Sequence, residues 1–217
     1  MVTSDSFTFT DDFTGFDGSA DPTNWTTENV ASTSAWQGTG TGTSTTGGKY
    51  SFGDTGSGPT FEGSLGFLPS SSRAINAIIE FELDTDVSLT GFTLEYTAEH
   101  WRSALDGRNN GWAVSYSLNG GADVALADLT YVAPNNLPTG GGPHGSENLS
   151  ADVSGSFVAG DVLTFTFFGD NGTGGGARQG VAIDNLTFTA IPEPSTFLLV
   201  ALAGTAAVIF RRRRRTA

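Results

Sequence analysis

The 217-residue chain has no cysteine, one lysine (Lys49), one methionine and two histidines, His100 and His144. Without cysteine there are no disulfides, no thiolate metal sites and no cysteine nucleophile. Two histidines are too few for a histidine-rich metal centre. The single lysine does not complete a phosphate-binding loop, and the glycine run Gly172 to Gly176 is not flanked by a strand–helix unit. Gly-x-Ser-x-Gly is also missing, since Gly63-Ser64-Leu65-Gly66 and Gly145-Ser146-Glu147 do not fit it. Basic residues are scarce before residue 191: 22 acidic side chains face five basic ones, a net charge of −17. Such a body does not bind nucleic acid unaided. No stretch before residue 191 sustains the i, i+3, i+4 apolar spacing of a helix.

Thirty glycines, sixteen phenylalanines and many Ser and Thr are present instead. Apolar residues alternate with polar ones over Ile75 to Leu83, Phe92 to Tyr96 and Trp112 to Leu118, the last closed by the turn Asn119-Gly120-Gly121. Val162 to Phe168 is apolar enough to predict burial on both faces. Phe7 to Phe13 and Val181 to Phe188 add strands at either end. Thr39 to Gly48 and Asn135 to Ser146 read as loops. Short strands between Gly, Asn and Asp turns predict an all-β fold, a two-sheet antiparallel β-sandwich of jelly-roll type over residues 1–190. A jelly roll would lay Asp11-Asp12-Phe13 beside Ile183-Asp184-Asn185.

Residues 191–217 form a separate tail. Pro192-Glu193-Pro194 lies in 191–196, an uncharged apolar run spans 197–210, and Arg211, Arg212, Arg213, Arg214 and Arg215 stand in 211–217. Fourteen helical residues rise about 21 Å, short of the ~30 Å hydrocarbon core. Snorkelling arginine stems extend that reach. The arginines predict a cytoplasmic end and place the body outside. A short C-terminal transmembrane helix is therefore expected. An exported chain begins with a basic and then apolar signal, which Met1 to Phe7 does not provide. An upstream coding extension carrying such a segment is expected.

The order of Pro-Glu-Pro, apolar run and terminal arginines resembles the PEP-CTERM sorting tail of exported bacterial proteins. The resemblance covers Ile191 to Ala217. It implies an exosortase-type processing enzyme as partner, transient tethering to the inner membrane, and delivery to the cell surface or an exopolysaccharide matrix. Asp12-Phe13, Asn24-Trp25 and the Ala182 to Leu186 segment (Ala-Ile-Asp-Asn-Leu) resemble the ends of concanavalin-like or MAM-like jelly rolls, which implies a fold and no activity.

Three groups are candidate sites. Val181 and Ile183 differ in parity from Leu186 and Phe188, which predicts a bulge at Asp184-Asn185. With Asp12 opposite, Asp184 could help to hold Ca²⁺, an ion that takes six to eight oxygens; a turn-capping role is the competing reading. Asp170-Asn171-Gly172 and the Asp106 to Gly111 loop are lesser candidates of the same kind. Glu80, Glu82, Asp84 and Asp86 share one strand face, as paired glycosidase carboxylates would; a solvated strand face is the plainer reading. Within Glu99-His100-Trp101-Arg102, Trp101 beside Arg102 could form a sugar platform, although continued alternation would send them to opposite faces, which suggests a bend or bulge near Ala98. The expected function is that of an exported, tethered and then sorted surface or matrix protein, non-catalytic, binding polysaccharide or Ca²⁺. The alternative is a surface glycoside hydrolase or lyase.

Overall fold

A computed structural model describes residues 2–3, 8–30, 33–53, 62–70, 73–83, 88–105, 108–173 and 177–193. The expected membrane segment, Pro194 and the arginine block lie outside the described residues, as do Asp84, Asp86 and Asp106. Among the described residues no helix is long and apolar enough to cross a membrane.

The first seven strands are β1 (Val2–Thr3), β2 (Thr8–Asp11), β3 (Trp25–Asn29), β4 (Trp36–Gly40), β5 (Gly48–Gly53), β6 (Gly63–Leu68) and β7 (Ile75–Glu82). The next seven are β8 (Leu89–Ser103), β9 (Gly111–Leu118), β10 (Val124–Ala125), β11 (Tyr131–Val132), β12 (Gly140–Phe157), β13 (Val162–Gly169) and β14 (Gly180–Pro192). One 3₁₀ turn, Ala127–Leu129, is the only helical element among the described residues. The first sheet runs β1-β7-β13-β9-β10, with β3 also on β7 and β11 also on β9. The second runs β12-β8-β14-β6-β5-β4, with β2 also on β14. Pairing is antiparallel except for β1 with β7 and β4 with β5.

The alternation read from the sequence is what joins the sheets. Ile75, Ala77, Ile79 and Phe81 of β7 point inward, as do Leu163, Phe165 and Phe167 of β13. They meet Phe92 and Leu94 of β8 and Val181, Ile183 and Phe188 of β14. Phe81 stacks on Phe188 at 4.5 Å between centroids, and Phe92 meets Phe165 edge-on at 5.3 Å. Aromatic pairs in these geometries add to the gain from burying their area. The β9–β10 hairpin turns where expected, with Asn119 and Gly120 both at positive φ, the conformation a two-residue turn demands.

The structure corrects several expectations. The outer face of β13, with Val162, Thr164, Thr166 and Phe168, is only half-buried, because no further layer covers the first sheet there. β8 keeps its register from Thr97 to His100 and then slips at Trp101 on both neighbours, with pairing resumed at Arg102. The irregularity expected near Ala98 is thus a bulge at Trp101, and both faces are buried at that end of β8. β12 begins at Gly140, within a stretch read as loop, and bulges between Gly141 and Gly145. The last strand continues to Pro192, and the Glu193 backbone N–H donates to Ser88 O at 3.0 Å.

Candidate functional site

Strand parity divides the second sheet cleanly. In β8 the even positions from Phe92 to His100 face the core, and Thr93, Glu95, Thr97, Glu99 and Trp101 face outward. The register places Thr8, Thr189, Thr93 and Asp152 in one row across four strands. Thr10, Thr187, Glu95 and Ser150 form the next row, and Asp184, Thr97 and Asn148 a third. Cross-strand bonds fix the side chains: Thr93 Oγ1 donates to Asp152 at 2.6 Å, and Thr97 Oγ1 to Asn148 Oδ1 at 2.9 Å. A groove of about 280 Å³ opens on this face, lined by Glu95, Thr97, Asn148, Ser150, Asn185 and Thr187 with the β8 and β12 backbones as floor.

The bulge foreseen at Asp184 is present. The pairing of β14 with β8 slips between Asp184 and Thr187, and Asn185 adopts φ 48°, a region Asn tolerates better than most residues. Val181, Ile183, Leu186 and Phe188 consequently all face the core. The bulge also marks where β14 changes partner, from β6 at Val181–Ile183 to β2 from Leu186 onward. Asp11 pairs with Leu186, so the chain's two ends lie side by side as expected.

This handover gathers acids from distant parts of the chain. Asp184 Oδ2 accepts from Asn185 Nδ2 at 2.7 Å, while its Oδ1 is buried with no hydrogen-bond partner. Burial, and after it the charges of Glu99, Asp12 and Glu62, push the Asp184 carboxyl up to about 7. Asp12 itself caps a turn: its carboxylate accepts the Thr14 N–H at 3.0 Å, which holds its own pKa below the usual value. Among the described residues no three His, Asp or Glu side chains are grouped closely enough to enclose a metal ion. Asp12 and Asp184 are thus electrostatic neighbours without a closed cage around them. Asp170 Oδ1 likewise accepts the Gly172 N–H, an ordinary turn.

The bulge at Trp101 brings Trp101 and Arg102 to the same side of the sheet, opposite Gly180, but buries both. Trp101 lies on the outer face, 6% exposed, in a small second core with Tyr50, Phe52, Leu68 and Ala182. Its ring is nearly parallel to Phe52, which stacks in turn on Tyr50. Trp101 Nε1 donates to Glu99 Oε2 at 2.6 Å, tying this apolar patch to the acid cluster. The Tyr50 hydroxyl donates to Thr46 O at 2.6 Å, fastening the Gly/Thr/Ser loop at that end. A Cβ at Gly66 would come within 2.2 Å of Phe52, so only glycine lets the ring lie flat on the sheet. Arg102 is buried on the same side, its Cβ beside Gly180 and the Phe52 ring, and its Nη1 donates to Ser103 O. An exposed sugar platform from this pair is therefore not formed.

Glu80 and Glu82 stand on the outer face of the first sheet, away from this groove, with Thr164 Oγ1 donating to Glu80 at 3.3 Å. The sequence reading named Glu99 only as a neighbour of Trp101, and it missed Glu62, Asn148 and Ser150 as site residues. A second cavity, about 400 Å³, lies within the β2–β3 connection between Phe9 and Asn24. There Asp11 is already engaged by the Phe13 N–H and the Trp25 indole.

Residues 190–215 match the model of the PEP-CTERM protein-sorting motif. The chain thus ends in that sorting motif, which marks an exported protein sorted to the cell envelope or surface. No curated protein matches the chain. The K1 Cleaved Adhesin domain of Lys-gingipain from Porphyromonas gingivalis is similar at TM-score 0.47 and 16% identity, over 84% of this chain and 98% of that one. The CBM22-1 xylan-binding domain from Paenibacillus barcinonensis is similar at TM-score 0.42 and 8% identity, over 85% and 94%. The enzymatically active domain of Bacteriophage CBA120 tailspike protein 4 is similar at TM-score 0.44 and 14% identity over 82% of this chain. The present chain spans 22% of that tailspike's length.

Proposed function

We propose that the body is a non-catalytic module that binds polysaccharide on the outer face of the second sheet. The C-terminal tail tethers it to the inner membrane and then sorts it to the cell surface or matrix. The processing partner is an exosortase-type enzyme acting at Pro192-Glu193-Pro194. The observation that carries the binding proposal is the open groove between β8, β12 and β14. Its hydroxyl, amide and carboxylate groups both donate and accept, as a polyhydroxylated chain requires. They stand on paired strands rather than loops, so little order is lost on binding. Glu95, Asp152, Glu99 and Asp184 make the face acidic, which favours a neutral glycan over an anionic one.

One observation favours the hydrolase alternative. Asp184 holds its proton to about pH 7 near the carboxylate of Glu99, the kind of contrast that separates a general acid from its partner. A glycan array probed with the full chain in detergent, paired with a reducing-sugar assay on the bound glycans, tests both readings. Binding without sugar release is expected, weakened about tenfold or more by the double variant Asn148→Ala/Ser150→Ala, at ~1 kcal/mol per lost bond. Release of sugar that disappears in Asp184→Asn would replace the proposal with the alternative. Binding untouched by the double variant would move the site elsewhere.

A further inference from the structure

The only two histidines in 217 residues lie against each other. His100 of β8 and His144 of β12 have ring centroids 5.3 Å apart, inclined at 48°. The β12 bulge between Gly141 and Gly145 carries His144 there, consistent with the way bulges re-aim a side chain. A Cβ at Gly142 would come within 3.0 Å or less of His144 N, Trp101 O and His100 O, so glycine lets the bulge fold down onto β8.

The hydrogen bonds fix both rings in one state. His100 Nε2 is 2.8 Å from Arg102 O and 3.1 Å from Gln179 Oε1, which also accepts the Ala104 N–H. Both neighbours are acceptors, so Nε2 carries the proton. His144 Nε2 donates to Gly140 O at 3.1 Å in the same way. Each ring therefore keeps a bare lone pair on Nδ1. That of His100 is buried, on a residue 1% exposed, and has no partner. An imidazole whose N–H is anchored to a carbonyl while its other nitrogen is free is oriented as metal-ligating histidines are.

We infer that His100 and His144 form a two-imidazole site for a borderline divalent transition metal, Cu²⁺ before Zn²⁺ or Ni²⁺, with water completing the coordination. Imidazole suits these ions, and Cu²⁺ binds such donors most tightly. Buried Arg102, two residues along β8 beyond the bulge, opposes a dication, and the −17 charge of the body partly offsets it. The site lies on the core-facing side of the sheet, independent of the glycan groove.

The test uses the tag-free full chain in detergent at pH 7.5, with CuCl₂ or ZnCl₂ as probe. Thermal unfolding should shift upward by about 3–8 °C at a large excess of metal, while MgCl₂ leaves it unchanged. The Cu²⁺ electron paramagnetic resonance spectrum should show nitrogen hyperfine coupling. His144→Gln, a half-buried position on the bulge, should weaken affinity about tenfold or more and remove that coupling, with the metal-free midpoint little changed. No metal-dependent shift in the wild type would overturn the site. So would a shift and coupling that persist in His144→Gln, which would assign the ion to the chain terminus or to carboxylates.

Discussion

The sandwich has two outer faces, and they are built differently. On the first sheet Asn76, Ile78, Glu80 and Glu82 of β7 alternate with the core, beside Val162, Thr164, Thr166 and Phe168 of β13. Every one of these side chains is half-buried, apolar and polar mixed. The second sheet separates the same ingredients. Its apolar outward residues, Tyr50, Phe52 and Trp101, collect at one end under a loop, and hydroxyls, amides and acids occupy the rest. The first arrangement is what results when a strand only has to bury its other side. In the second, a cluster of outward aromatics has its own cover, and a run of polar groups is kept clear of it. That separation is the reason the binding proposal rests on the second face.

The contrast can be broken by measurement, most severely through Trp101. Trp101→Ala should cost about 3–5 kcal/mol in urea unfolding, whereas Phe168→Ala on the first sheet should cost clearly less. Equal losses would mean that the two faces are packed alike. Gly66→Ala should cost about 1–3 kcal/mol by lifting Phe52 from the sheet, with a loss of near-ultraviolet aromatic dichroism as the second readout. A neutral outcome would show that the aromatic row can slide.

Asp184 sharpens the comparison through pH. Its folded pKa is raised to about 7, so between roughly pH 4 and pH 7 the folded state holds a proton that the unfolded state has released. Its contribution therefore makes stability fall as pH rises through that window. Asp184→Asn should flatten that fall and raise stability at pH 8 by about 1–2 kcal/mol, after allowance for the carboxyl's partial exposure. An unchanged urea midpoint across pH 4 to 8 would show that the carboxyl is solvated. The smallest expected effect is that of calcium. If Asp12 and Asp184 help to hold Ca²⁺, a tenfold excess over the dissociation constant should raise the calorimetric midpoint by about 3 °C. No rise at millimolar Ca²⁺ removes that ion from the account.

Much of the scaffold could be read from residue order, because the period of two is local. The parity clash between Ile183 and Leu186 located the bulge, and the acidic-Phe and Ile-Asp-Asn ends were correctly placed side by side. Trp101 was harder. A strand pattern assumes one buried face, so an outward tryptophan reads as a bend, while its cover comes from residues some fifty positions earlier. Glu62 and Asp12 reach Asp184 where β14 exchanges β6 for β2, and Glu99 reaches it from β8 on the other edge, facts of topology that no local window contains. The Gly-Gly-Gly-Pro-His-Gly run was read as loop for a similar reason: glycine and proline mark irregular backbone, and in this chain the irregularity is a bulge inside an 18-residue strand.

The final strand has a mechanical consequence. Pro192 is still in the sheet, and Glu193 is clasped by Ser88, while only Pro194, Ser195 and Thr196 separate Glu193 from the apolar run. Three residues reach at most about 11 Å when fully extended. If the apolar run is anchored in lipid as proposed, the sandwich would be moored close to it by its own central strand, and a processing enzyme that takes Pro192-Glu193-Pro194 as an extended peptide would first have to unzip the last rung of the sheet.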